Sequence, residues 1–76
     1  MPIYCISVTN QTFESSNEHD MPTLEIAQAE AIKGALSIGV DEIGDANPFF
    51  AAEVRIDGDG EHLARYIVSV GVCRLR

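Results

Sequence analysis

The sequence predicts an α+β domain, ordered β-β-α-β-β, with an antiparallel sheet and one long amphipathic helix packed on one face. Three observations lead there. A β-rich opening stretch, residues 2–8, runs into turn material. A helical period then holds from Leu24 to about Ile43. Finally, two alternating stretches, residues 49–56 and 62–74, flank the glycine-rich acidic turn Asp57-Gly58-Asp59-Gly60. A helix laid across one sheet face buries both apolar surfaces at once.

Ile3, Tyr4, Cys5, Ile6 and Val8 favour a strand, and Thr9-Asn10-Gln11 is turn material. Residues 12–15 give a short return strand anchored by Phe13, and residues 16–21 read as polar loop. Thr23 follows Pro22 and can cap a helix through its hydroxyl, and Glu25 suits the positive end of the helix dipole. At 100° per residue, Leu24, Ala27, Ala31, Ala35 and Ile38 share one stripe, with Ile32, Leu36 and Ile43 on its flank. Glu30, Lys33, Ser37 and Asp41 form the opposite polar strip. The interior glycines Gly34 and Gly39 each cost up to about 1 kcal/mol relative to alanine, which points to close approach to a sheet or another backbone. Gly44 and Pro48 end the helix. In strand three, Phe50, Ala52, Val54 and Ile56 share one face. In strand four Tyr66, Val68, Val70 and Val72 face one way, and Leu63, Ile67, Cys73 and Leu75 the other.

Seventy-six residues make one domain, 1–76. So short a chain buries only about 60% of its unfolded surface, so oligomerisation is an early question. The net charge of −7, from five Lys+Arg against twelve Asp+Glu, sets aside nucleic acid as a ligand. No apolar run is long enough for a membrane span, and no leader pattern opens the chain, so the expected compartment is the cytoplasm. There Cys5 and Cys73 are expected to be reduced.

The chemistry-bearing residues point away from catalysis and cofactors. Asp57, Asp59 and Glu61 alternate as in a calcium loop, but strands flank them, and Val68 stands where a terminal glutamate is needed. A hairpin turn with solvated carboxylates is expected, and no calcium site tighter than about 10 μM. His19, His62, Cys5 and Cys73 lack the close pairing of a zinc site and any local signature of a Cys–His nucleophile. Gly58 and Gly60 lie between strands, without the helix N-terminus that phosphate binding exploits. Tyr4 and Tyr66 read as sheet residues.

The chain carries three resemblances. The opening MPIYCISV, the helix TLEIAQAEAIKGAL and the hairpin EVRIDGDG resemble a family of short bacterial proteins classed as a domain of unknown function. Thr9-Asn10-Gln11 stands where that family has an aspartate–glycine turn. The helix and HLARYIVSVGV resemble dodecins more weakly, which would imply a flavin-binding oligomeric shell, although the flavin-stacking tryptophan is absent. A third likeness, of architecture only, is to the partner-binding domain of HicB-type antitoxins.

The expected function is a small oligomeric interaction or scaffold domain, not an enzyme, with no cofactor or metal. The alternatives are a dodecin-like binder of flavin or another small ligand and an antitoxin-like partner-binding domain. The expected interface is strand four, through Tyr66, Val68, Val70, Val72 and Leu75. Its thirteen residues would overhang the eight of strand three and leave an unpaired apolar end. A two-fold dimer is the expected closure.

Overall fold

The computed structural model describes residues 2–44 and 46–76. Met1 and Asp45 lie outside the described residues, so the expected turn at 44–48 is described except at Asp45. The elements are β1 (Ile3–Thr9), β2 (Glu14–Asp20), α1 (Leu24–Glu42), β3 (Phe49–Gly58) and β4 (Glu61–Gly71). One four-stranded antiparallel sheet has the order β2-β1-β3-β4, so β1 and β3 are interior and β2 and β4 are the edges.

The first hairpin is set by Asn10. Its side-chain oxygen accepts from the backbone N–H groups of Thr12 and Phe13, and the Asn10 N–H donates to the Phe13 carbonyl. The chain reverses over Gln11 and Thr12, and β2 then pairs with all of β1. The stretch expected to be loop, residues 16–21, is therefore mostly strand. Every residue of β2 is polar, Glu-Ser-Ser-Asn-Glu-His-Asp, so no alternation marks it. Backbone pairing to β1 makes it a strand. As an edge strand away from the helix, it has no apolar surface to bury.

Thr23 caps α1 as expected, its hydroxyl accepting from the Ile26 N–H at 3.2 Å. Ala27, Ala31, Ala35 and Gly39 are buried along one ridge, with Leu24 and Ile38 half-buried beside them. The small stripe lets α1 ride close over β3 and β4. Gly39 requires its missing side chain: a Cβ there would lie 2.8 Å from Phe50 Cδ1 and 2.9 Å from Val70 Cγ2. At Gly34 a Cβ would meet open space, so that glycine is merely tolerated. Gly44 does not take the left-handed cap. Ile43 is the C-cap, and the Asn47 side-chain amide donates to the Glu42 carbonyl at 2.9 Å.

The core is one cluster under the helix. Tyr4, Ile6 and Val8 of β1 join Phe50, Ala52, Val54 and Ile56 of β3 and Val68 of β4. Phe13 stacks on Phe50, ring centroids 6.4 Å apart, and closes the β1 side. The β3–β4 hairpin turns on Asp59 and Gly60, both at positive φ (53° and 76°), the backbone of a two-residue type I′ turn. The Asp-Gly sequence is explained by that geometry.

Strand four is shorter than expected, and its overhang does not exist. β4 ends at Gly71, and Val70 and Gly71 pair with Phe50 and Phe49. Val72 adds one last bond, its N–H donating to the Pro48 carbonyl at 2.8 Å. Pro48 has no N–H to return, so the ladder stops there. A register shift after Ile56 leaves Leu63 without a pair and sets it 3.0 Å from where a Gly58 Cβ would stand.

Candidate functional site

Two surfaces of the sheet are available: the face opposite α1 and the outer edges. On the open face, Arg55 and Arg65 stand directly opposite each other, a destabilising like-charge pair if left bare. Each is compensated. Arg65 Nε lies 2.8 Å from Glu53 Oε1, and Arg55 Nε lies 3.2 Å from Asp57 Oδ2. His62 Nδ1 adds a contact to Asp57 Oδ1 at 3.3 Å.

Partial desolvation of Asp57 works against its ionisation. The hydrogen bonds and charges of Arg55 and His62 outweigh it and hold the carboxyl below 3.8. A lowered folded-state pKa gives stability that is complete above the unfolded value and fades as pH falls through the folded one. An NMR titration is expected to place the Asp57 midpoint below 3.8, with Arg55→Gln moving it back up. A midpoint at or above that value in the parent would contradict the pairing.

Cys5 Sγ contacts Ser16 Oγ at 3.4 Å on the open face, while Cys73 lies beyond β4. No three His, Cys, Asp or Glu side chains among the described residues gather as a metal site. An open groove of about 530 Å³ runs past Thr12, Glu42, Asn47, Phe49 and Ile67 at the end where β3 begins. Among the described residues no helix is long and apolar enough to cross a membrane.

The edges are more informative, because the hydrogen-bond phase can be fixed. In an antiparallel ladder, bonded and non-bonded pairs alternate. The bond from Val72 to Pro48 makes that pair a bonded one. Counting back, Val70, Val68, Tyr66 and Ala64 point their backbone groups inward at β3. Arg65, Ile67, Ser69 and Gly71 point theirs outward, where no strand among the described residues covers them. On β2, the bonds Asn10–Phe13 and Met21–Pro2 fix the phase in the same way. The outward residues there are Glu14, Ser16, Glu18 and Asp20.

The two edges therefore differ in chemistry. Three of the four outward residues of β2 are carboxylates, a charge guard of the kind that blunts edge pairing. Of the four outward residues of β4 only Arg65 is charged, and Glu53 already engages it. Ile67 is 72% exposed beside it. Above the same edge lies a flank of α1 with exposed Leu36 and Val40.

Of the residues expected at the interface, Tyr66, Val68 and Val70 turn their side chains beneath α1, and Val68 is buried. Val72 and Leu75 lie past the end of β4, with Leu75 94% exposed. Ile67, Leu36 and Val40 were not singled out as interface residues by sequence reasoning. Alternation shows which face a side chain takes, but not which N–H points outward. The usable signal was Pro48, which stops the ladder and so fixes its phase.

Comparison with family models, curated proteins and solved structures finds no match for this chain.

Proposed function

We propose that this chain is a small interaction or scaffold domain that works as a homo-oligomer, with the outer edge of β4 as its joining surface. The observation that carries this reading is the uncovered, nearly uncharged row of backbone groups at Arg65, Ile67, Ser69 and Gly71. Such an edge is a template for another strand unless something blocks it. The acidic row on β2 restricts the choice to one edge. The marginal core of a chain this short adds to the argument, since pairing there buries further surface. We assign it to the cytoplasm, where its two free cysteines would stay reduced.

A proline scan tests the edge directly. Ser69 has an outward N–H, so Ser69→Pro leaves the ladder to β3 intact, as prolines on edge strands do. It removes a donor that a joining strand needs. The parent is expected to run as an oligomer at micromolar concentration in light scattering, and Ser69→Pro as a folded monomer. Val68→Pro, whose N–H points inward, is expected to unfold the domain. A monomeric parent, or a Ser69→Pro variant of unchanged mass, defeats the reading.

A further inference from the structure

We propose that the occupant of the β4 edge is a second copy of this chain. It would pair antiparallel, β4 to β4, with the two-fold axis at Val68 and with Leu36 of one helix against Leu36 of the other. This rests on the reading of β4 as the joining edge. It adds the partner, the register and a second line of contact.

The register follows from the outward groups. Antiparallel pairing must set outward residues opposite outward residues. An axis at Val68 uses all four: Arg65 meets Gly71 of the second copy, and Ile67 meets Ser69. An axis at Ile67 sends Gly71 to the irregular position of Leu63, and an axis at Ser69 sends Arg65 beyond the strand end. With the axis at Val68 no charge faces a like charge. On the helix side Val68 meets Val68, and Tyr66 meets Val70, both apolar pairs of the kind that stabilise sheets. The same operation on β2 would set Glu14 against Asp20, a repulsive pair.

The helix gives an independent argument for the same axis. Met21, just before α1, is bonded to Pro2 at the sheet end near Gly58, and Gly39 lies over Val70 near the other end. The helix thus runs alongside β4 in the same direction. Val68 precedes Val70 by two strand residues, about 6.6 Å. That distance is about four residues of helix. Counting back from Gly39, residue 34 or 35 stands level with Val68, a level covered by the side chain about one position further on, because helical side chains lean toward the helix N-terminus. On the wheel Ile32, Leu36 and Val40 continue round from Gly39 on the β4 side. They are spaced symmetrically about Leu36, so the two-fold at Val68 sets Leu36 on Leu36 and Ile32 on Val40. With α1 above β3 and β4, its axis is one to one and a half strand spacings from the two-fold, placing two helices about 10–14 Å apart. Direct contact occurs at about 8–10 Å, so the side chains of this apolar ladder can bridge the gap.

The test is site-directed cross-linking in a Cys5→Ser, Cys73→Ser background. Leu36→Cys is expected to give a disulfide-linked dimer on mild oxidation, while Glu30→Cys on the polar face stays uncross-linked. Leu36→Glu, at a site 38% exposed and so able to fold, is expected to weaken the dimer at least about tenfold. A parent dimer in which Leu36→Cys does not cross-link and Leu36→Glu has no effect overturns this arrangement and leaves the oligomer reading standing. Species that grow beyond a dimer with concentration point to head-to-tail joining of β4 to β2, and overturn it too. A monomeric parent removes both.

Discussion

Gly39→Val is expected to destabilise the domain by about 1–3 kcal/mol, the usual cost of forcing atoms into a filled core. Gly34→Ala, five residues away on the same helix, is expected to stabilise it by up to about 1 kcal/mol. Both start from glycine within α1, so intrinsic propensity predicts the same direction for each. The difference lies in what a side chain would meet. At Gly39 even the first carbon is under 3 Å from Phe50 and Val70, and those two side chains form the joint between β3 and β4 below the helix. Either the ring and the valine move or the helix lifts. At Gly34 the space is open, and alanine only reduces the freedom of the unfolded chain. Urea midpoints of the two variants against the parent decide it. Equal shifts would mean that the close approach at Gly39 is not real.

Most of the architecture was legible because burial imposes a period. β3 shows Phe50, Ala52, Val54 and Ile56 all buried, as the alternation required. The helix shows its alanine ridge buried, and Thr23 at its N-cap. Asp-Gly marks the type I′ turn. The failures occurred where no burial acts. β2 is a strand of seven polar residues held by its ladder alone, and composition marks such a stretch as loop. The end of β4 failed for a related reason. Val72, Cys73 and Leu75 continue an apolar pattern, but Pro48 opposite them cannot continue the bonds.

The candidate site was less legible than the fold. Which strand lies at an edge is a matter of neighbours, and an alternating pattern reports only faces. β3 and β4 both alternate, yet one is interior and the other exposed along its whole outer side. Residues chosen as interface by apolarity, Tyr66, Val68 and Val70, are apolar because they support the helix. The groups free to join another strand belong to residues of mixed character, Arg65, Ile67, Ser69 and Gly71. Their common property is backbone direction, which follows from the register and not from side-chain type.

Ile56→Ala is expected to cost about 2–5 kcal/mol. Ile56 is fully buried, and it sits in the interior strand β3 between Ile6 of β1 and Ala64 of β4. Removing its methyl groups leaves a cavity that β1, β3 and β4 must all shift to fill, and the adjoining register shift after Ile56 anchors the backbone there. At roughly 0.05–0.15 kcal/mol per residue, the whole domain has about 4–11 kcal/mol to lose. The variant therefore keeps between about −1 and 9 kcal/mol, and moderate urea brings a dilute sample to its unfolding midpoint. If the chain self-associates through folded β4 edges, raising its concentration should recover structure, because association stabilises only the folded state. Leu75→Ala, at a site 94% exposed, removes similar apolar area and is expected to change stability by less than about 0.5 kcal/mol. Circular dichroism over a hundredfold range of concentration reads both effects. An Ile56→Ala variant as stable as the parent would place the core elsewhere. An unstable variant whose folded fraction ignores concentration would separate the core from the edge, leaving the first intact and the second without support.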